Sequence, residues 1–200
     1  LDDKTEIFSQ KDLANYFSLE RVSKSGAVFD IDKLRWMNGH YIRESSHREL
    51  ADALLRYWYL NPPHEIPELP EKDYLMRIVP LVQPRMKTLK DAAPLIPFFF
   101  RPAKYNTAEL VQKDMNPLST RSALEASLKA LEKLELFDVA STEAVLRPIA
   151  GLLGIKTGQL LGSLRVSVTG LQVSPPLFES MEVLGRDRTL TAIQDALNRL

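Results

Sequence analysis

Positions 46–60 of the chain read SHRELADALLRYWYL. The first four residues have the form of a capping box, in which the Ser46 hydroxyl accepts a backbone N–H and the Glu49 carboxylate reaches back to the cap. Apolar side chains follow three and four positions apart and form one stripe: Leu50, Leu54, Leu55, Trp58 and Tyr59. This segment predicts an amphipathic helix that ends before Asn61-Pro62-Pro63, because proline lacks an N–H and restricts the residue before it.

Similar helical signals extend from this segment in both directions. On the N-terminal side, Ser9 and Asp30 precede apolar residues at helical spacing and are predicted to be N-caps. On the C-terminal side, Thr120 and either Ser141 or Thr142 are predicted to begin two further helices. Glycines that are predicted to end helices stand at Gly154, Gly170 and Gly185. The sequence therefore predicts a mainly α fold, and it lacks the self-similarity of a solenoid array.

The middle of the chain carries more proline. A proline-stiffened connector at 61–70 precedes a helical pattern over 71–82, which Pro80 and Pro84 are predicted to kink or end. A separate helix is predicted over 86–93. The apolar run at 94–100 is too short and too interrupted to cross a membrane, so it is predicted to enter the core.

Composition excludes several classes of protein. The 200 residues are 44% hydrophobic and 26% charged, as in ordinary globular chains, and no apolar run approaches the roughly 20 residues that span a bilayer. Cysteine is absent, which excludes disulfides and thiolate metal sites and is compatible with a reducing cytosol. We expect a soluble, cytoplasmic protein without a membrane partner. Because the chain begins at Leu1 without a signal peptide, we expect a piece of a longer polypeptide.

Charge is balanced overall but uneven along the chain. The formal net charge is zero, yet residues 75–104 carry six cations against Asp91 alone, and residues 144–178 carry three cations and no acid. Such stretches would let a polyanion dock at chosen places. Patches of this kind also occur by chance on neutral proteins, so charge alone leaves both interpretations open.

The residues that usually carry catalysis are missing from recognisable motifs. Histidine occurs only at His40, His47 and His64, without metal-ligand spacing, and no glycine-rich phosphate loop or GxSxG nucleophile turn is present. We therefore predict no catalytic residue, no metal and no cofactor in this chain. Residues 21–25 resemble the KMSKS signature of class I aminoacyl-tRNA synthetases. We interpret residues 23–25 as a surface turn, because fewer than 25 residues precede them and no nucleotide-binding domain can be placed beside them.

Longer motifs resemble one family along most of the chain. Residues 17–22 and 29–39, then 83–89, then 156–186 resemble bacterial-type glutamyl-tRNA synthetase in the same order. The match is weak over 61–71 and 98–119. The resemblance implies the end of a stem-contact domain at 1–45, a helical anticodon-binding lobe at 46–118 and a second helical lobe at 119–200. It also implies that ATP, Mg²⁺ and glutamate bind in polypeptide outside this chain.

The resemblance also implies individual roles. Arg85 aligns with the arginine that reads the first anticodon base, and a guanidinium donor fork suits the acceptors of a pyrimidine edge. The pocket for the other two bases would comprise Arg165, Ser174, Pro175 and Leu177. Contacts with the tRNA stem would come from Arg21, Lys33 and Trp36. Each has a structural alternative: Arg85 as a solvated helix-end cation, Arg165 as a structural pair, Pro175 and Leu177 as a helix start, and Trp36 as half core.

The predicted partner is tRNA(Glu), with tRNA(Gln) as a second candidate, bound by a monomer whose parent is a class I glutamate–tRNA ligase. A rival hypothesis is a helical protein-interaction module, motivated by zero net charge and the apolar run 95–100. A third hypothesis is a free-standing enzyme that uses Lys24 to bind phosphate.

Overall fold

The computed structural model describes residues 6–22, 26 and 28–200, and no β-strand occurs within those ranges. The α-helices are α1 (Gln10–Tyr16), α2 (Ile31–Glu44), α3 (His47–Leu60), α4 (Lys72–Val82), α5 (Pro117–Glu132), α6 (Val139–Leu152), α7 (Thr157–Thr169), α8 (Leu177–Leu184) and α9 (Arg186–Arg199). Short 3₁₀ turns stand at Leu19–Arg21, Gln83–Arg85, Leu89–Asp91, Ala93–Leu95, Pro97–Phe99 and Thr107–Leu110. The predicted all-α class is confirmed.

The N-caps predicted in the first 50 residues are confirmed. Ser9 Oγ accepts the Asp12 N–H at 3.1 Å at the start of α1. Asp30 caps α2 by accepting two backbone N–H groups at 3.0 Å. At α3, Ser46 Oγ accepts the Glu49 N–H at 3.3 Å, and the Glu49 carboxylate accepts the Ser46 N–H at 3.0 Å. These side chains satisfy backbone donors that have no partner inside a helix.

The predicted starts of α5 and α6 are wrong by a few residues. Asn116, rather than Thr120, caps α5 and accepts the Ser119 N–H at 2.9 Å, and Pro117 follows where its missing N–H costs nothing. Thr120 is instead fully buried inside the helix. Asp138 caps α6 by accepting the Ser141 N–H at 2.7 Å, so the helix begins before both predicted caps. A strong capping side chain directly upstream explains each difference.

The proline-containing middle confirms one predicted helix and contradicts another. The helical pattern predicted over 71–82 is confirmed by α4, which continues past Pro80 to Val82 and ends before Pro84, and the Gln83 N–H still bonds to the Val79 carbonyl. The separate helix predicted over 86–93 is wrong, because this stretch and its continuation to residue 99 form consecutive 3₁₀ turns. Prolines lie in the first positions of the turns at 93–95 and 97–99, where their fixed φ favours a turn over a continued helix. The predicted burial of the apolar run is confirmed by Ile96, Phe98 and Phe99.

The glycines predicted to end helices do so. Gly154, Gly170 and Gly185 all have positive φ, which L side chains rarely adopt. At Gly170 a side chain is also excluded by space, because an added Cβ would lie 2.9 Å from the Lys104 carbonyl oxygen. This position therefore requires glycine for two independent reasons.

One hydrophobic core runs from Ile42 in α2 to Leu197 in α9. Helix α3 packs on α4, while α5, α6, α7 and α9 pack around one another. Helix α8 contacts α4 as well as α6 and α9, so the core continues across the predicted lobe boundary at 118/119. The division into two lobes stays a prediction. Among the described helices, none is both long enough and apolar enough to span a membrane.

Candidate nucleic-acid interface

Arg85 stands at the end of the 3₁₀ turn Gln83–Arg85 that follows α4, and it is exposed. Its neighbours in the chain, Gln83 and Met86, are 7% and 0% exposed, so the backbone on both sides of the arginine is anchored in the protein. Within the described ranges, no carboxylate forms an ion pair with Arg85. The guanidinium therefore presents its N–H donors to solvent.

Arg165 lies in α7. Its guanidinium is half-buried, and Nη1 donates to Ser174 Oγ at 2.9 Å and to the Pro175 carbonyl oxygen at 3.4 Å. Burial lowers the pKa of Arg165, and the positive charge of Arg85 lowers it further. An arginine still stays protonated near neutral pH, so the two guanidiniums form a site of concentrated positive charge. Two site residues that are 80 positions apart in the sequence thus influence each other electrostatically in the fold.

Three other residues predicted to line the base pocket are buried. Ser174 and Leu177 are 1% and 4% exposed, and Pro175 is buried as well. Ser174 Oγ donates to the Pro175 carbonyl at 2.8 Å while it accepts from Arg165, and Leu177 begins α8 with its side chain in the core. The Ser174 hydroxyl and the Pro175 carbonyl hold Arg165 in place, and the Leu177 side chain anchors α8 in the core. A direct contact between these three side chains and bases stays a prediction.

The residues predicted to contact the tRNA stem lie on the N-terminal segment. Lys33 Nζ pairs with Glu6 Oε1 at 2.8 Å, and this hydrogen bond raises the pKa of Lys33. Trp36 is 47% exposed, so the expectation of a half-core residue fits as well as that of a contact. The backbone of Arg21 ends a 3₁₀ turn, but its side chain and the predicted surface turn at 23–25 lie outside the described residues.

Helix α2 and the Arg85 turn are joined by specific contacts. Gln83 Nε2 donates to the carbonyl oxygens of Ile42 and Ser45, each at 2.8 Å, at the C-terminal end of α2. Asn38 Nδ2 donates to the Lys87 carbonyl. The structure therefore places the predicted stem-contact helix directly against the segment that presents Arg85.

A polar cleft between α2 and residues 87–91 adds cations for which we predicted no individual role. Its lining includes Arg35, Lys87 and Lys90, and also Asp32, whose carboxylate pairs with Arg35 at 4.0 Å. Asp91 also lies there, but its carboxylate accepts the N–H groups of Lys87 and Thr88 at 2.9 Å. Burial alone would raise the pKa of Asp91, but these hydrogen bonds outweigh it and hold the pKa below its usual value. Lys87 and Lys90 belong to the basic stretch 75–104 that the sequence showed. Arg35 lies far from them in the sequence and is brought next to them only by the fold.

The described residues offer little for metal chemistry. No group of three or more His, Asp or Glu side chains in that part of the chain could hold a metal ion. What the arrangement does offer is a set of cations and hydrogen-bond donors along the Gln83–Asp91 segment and on the neighbouring helix α2.

Comparison with known proteins identifies the family. Residues 49–197 match the family model of the anticodon binding domain. The glutamate–tRNA ligase of Dehalococcoides mccartyi is 43% identical over 200 residues, which cover 100% of this chain and 41% of that protein. The glutamate–tRNA ligase of a Roseiflexus species is 40% identical over 98% of this chain and 39% of its own length. The chain thus spans less than half the length of the curated relatives it matches.

A solved structure agrees with the fold. The crystal structure of a glutamate tRNA ligase from Elizabethkingia meningosepticum superposes with a TM-score of 0.84 and 23% identity, over 100% of this chain and 38% of that one. The predicted resemblance to glutamyl-tRNA synthetase is confirmed by the sequence relatives. With three quarters of its residues inside the family match, this chain belongs to the anticodon binding domain family.

Proposed function

We propose that this chain binds the anticodon arm of tRNA(Glu) as the RNA-reading part of a glutamate–tRNA ligase. The observation that carries the proposal is the presence of exposed Arg85 and of half-buried, hydrogen-bonded Arg165 in a domain of the anticodon binding family. Glutamylation of tRNA, with its ATP and Mg²⁺, would take place in other segments of the parent enzyme. The curated relatives support this division, because they are ligases more than twice as long as this chain.

Arg85 is suited to the first anticodon base. Single-stranded RNA is usually recognised through bases that are splayed out and bonded along their edges. A guanidinium is planar, permanently charged and only donates hydrogen bonds. It therefore binds a base edge rich in acceptors more tightly than an edge that presents donors. The anchored backbone on both sides of Arg85 keeps these donors in place.

Arg165 is suited to the next bases or to the phosphates between them. Its Nη1 atom donates hydrogen bonds to Ser174 and to the Pro175 carbonyl, and these two bonds restrict the orientation of the guanidinium. Its partial burial strengthens any hydrogen bond that it makes to RNA, because water competes less well in such a site. Ser174, Pro175 and Leu177 would then contribute by shaping this site.

The stem contacts would extend from α2. Trp36 offers an exposed indole for a sugar or base, while Lys33 and Arg21 would contribute charge towards phosphates. Lys33 would have to exchange its carboxylate partner Glu6 for a phosphate. The cleft cations Arg35, Lys87 and Lys90 would add phosphate contacts.

The proposal is tested by binding titrations with tRNA(Glu) transcripts in which each anticodon base is changed in turn. We expect tighter binding to the unmodified anticodon than to every changed one, and weaker binding as salt rises, because phosphate contacts release counterions. Equal affinity for an unrelated tRNA at physiological salt would remove the claim of specificity. A parallel titration with tRNA(Gln) decides whether that tRNA is a second partner.

The protein-interaction hypothesis loses one of the two observations that motivated it, the apolar run 95–100. Ile96, Phe98 and Phe99 from the apolar run are buried in the core rather than available to a partner. A different observation favours it, because α1 buries no residue and exposed apolar side chains continue through residues 13–36. A pull-down from which tRNA has been digested away separates the two functions. The third hypothesis, a free-standing enzyme, depends on Lys24, which lies outside the described residues.

A further inference from the structure

Gln83 has a buried side chain whose amide group joins two separate elements. Its Nε2 donates to the carbonyl oxygens of Ile42 and Ser45 at 2.8 Å, and the Arg43 carbonyl oxygen lies 3.4 Å away. Acceptors alone surround this end of the side chain, which identifies the atom there as the amide nitrogen. Only 7% of Gln83 is exposed, so water cannot replace these partners.

The carbonyl groups at the end of α2 need such a donor. The last four carbonyls of a helix have no intrahelical partner and carry its partial negative charge. Ser45 N–H bonds to the Tyr41 carbonyl, but the next N–H, that of Ser46, is taken by Glu49 in the capping box of α3. The Ile42 carbonyl therefore receives its hydrogen bond from Gln83.

Two more contacts hold the same segment against α2. An added Cβ on Gly39 would lie 3.4 Å from both the Met86 carbonyl oxygen and the Lys87 Cα, so the helix and the turn approach backbone to backbone. Asn38 Nδ2 donates to the Lys87 carbonyl. The residues on both sides of Arg85 are thus fixed to α2, whereas Pro84 and Arg85 face outward.

We propose that Gln83 is a positioning residue that sets the place of the Arg85 guanidinium relative to α2. The proposal rests on the function proposed above for Arg85. Recognition groups discriminate only when they are held to within about 0.5 Å of their working position. The amide of Gln83 fixes the Arg85 turn relative to α2 with that precision. The first anticodon base can then contact Arg85 while α2 contacts the stem of the same RNA.

The first test is Gln83→Met in the full 200-residue chain, which keeps the length of the side chain and removes its donors. Titrations with tRNA(Glu) transcripts changed at each anticodon position give one discrimination ratio per base. We expect the ratio at the first base to fall by about tenfold, while the ratios at the second and third bases stay as in the wild type. A merely structural role would lower thermal stability and all affinities together and leave every ratio unchanged.

The matched control is Gln159→Met. Gln159 also bridges two elements by an amide, because its Nε2 donates to the Lys113 carbonyl at 2.7 Å, but it contacts neither α2 nor the Arg85 turn. We expect this variant to lose stability without any change in the three ratios. Gln83→Lys restores N–H donors next to a helix C-terminus, where a cation is favoured, and is expected to recover first-base discrimination.

The outcomes separate this inference from the proposed function. If the wild type does not discriminate at any anticodon position, the proposed function fails. If the wild type discriminates and Gln83→Met keeps its full first-base ratio, the positioning role of Gln83 is wrong while the proposed function stands. Equal losses at all three positions would also overturn the positioning role.

Discussion

Arg165 Nη1 donates to Ser174 Oγ at 2.9 Å, so the buried serine holds the half-buried guanidinium in place. Sequence comparison aligned both residues with one base pocket without assigning them different tasks. The geometry does assign them: the serine is 1% exposed and the arginine reaches the surface.

Ser174→Ala should therefore act through Arg165. The change removes both hydrogen bonds of the hydroxyl, the one from Arg165 and the one to the Pro175 carbonyl, and is expected to lower the free energy of unfolding by about 1 to 3 kcal/mol. The arginine then keeps only the longer bond to the Pro175 carbonyl, so discrimination at the second and third anticodon bases should weaken while the first base is read normally. Ser163→Ala is the control, because Ser163 donates to the Leu110 carbonyl at 2.8 Å from the same helix. Similar stability losses but identical base preferences for the two variants would contradict this role.

Arg85→Gln should loosen the choice of the first anticodon base. A neutral amide can both donate and accept, so it no longer penalises the wrong base edge. Because Arg85 is exposed, the free energy of unfolding should change by no more than about 0.5 kcal/mol. Titrations with four transcripts that differ at the first base measure the effect. Arg56→Gln, an exposed change on α3, should leave the profile as it is. An unchanged profile for Arg85→Gln would refute the assignment.

Lys87→Ala and Lys90→Ala should weaken RNA binding without altering base preference. Each phosphate contact that is lost should reduce the slope of log affinity against log salt by about 0.7 to 0.9. Affinities measured at several salt concentrations give that slope directly. Lys129→Ala removes an exposed cation from α5 and should keep the wild-type slope. A wild-type slope in both cleft variants would mean that no phosphate binds in the cleft.

Thr120→Val should stabilise the protein. Thr120 Oγ1 is buried without a hydrogen-bond partner, and an unpaired buried hydroxyl costs about 1–3 kcal/mol. Valine keeps the branched shape and removes that cost, so chemical denaturation should show a higher free energy of unfolding. If Thr120 were the cap of α5, the same change would destabilise instead. Asn116→Ala, which removes the observed cap, should lower stability by about 1 kcal/mol.

Local chemistry made most of the helices predictable. Ser9, Asp30 and Ser46 cap helices through side chains next to an apolar stripe, and such caps need no tertiary information. Prediction was poorer where two signals compete: Thr120 stood close to the apolar residues, but Asn116 with Pro117 formed the better start. Residues 86–93 have helical spacing, yet the prolines that follow favour short turns.

The candidate site was only partly predictable, because burial of polar groups depends on tertiary packing. Arg85 and Arg165 came from motifs of the family, and the electrostatic effect of one on the other could not be predicted from residues 80 positions apart. The burial of Ser174 and Leu177 follows from how α8 packs. Gln83 stood inside a recognised motif, but the carbonyl groups that it bonds belong to a helix 40 residues earlier.

Helix α8 touches α4 from the first predicted lobe as well as α6 and α9 from the second. The halves are therefore joined by packed side chains and not only by the covalent connection between them. A protease cut between residues 111 and 115 would leave two fragments that stay associated, since separating them would expose apolar surface to water. The distance between Arg85 and Arg165 is consequently maintained even when the peptide chain that links the two arginines is broken.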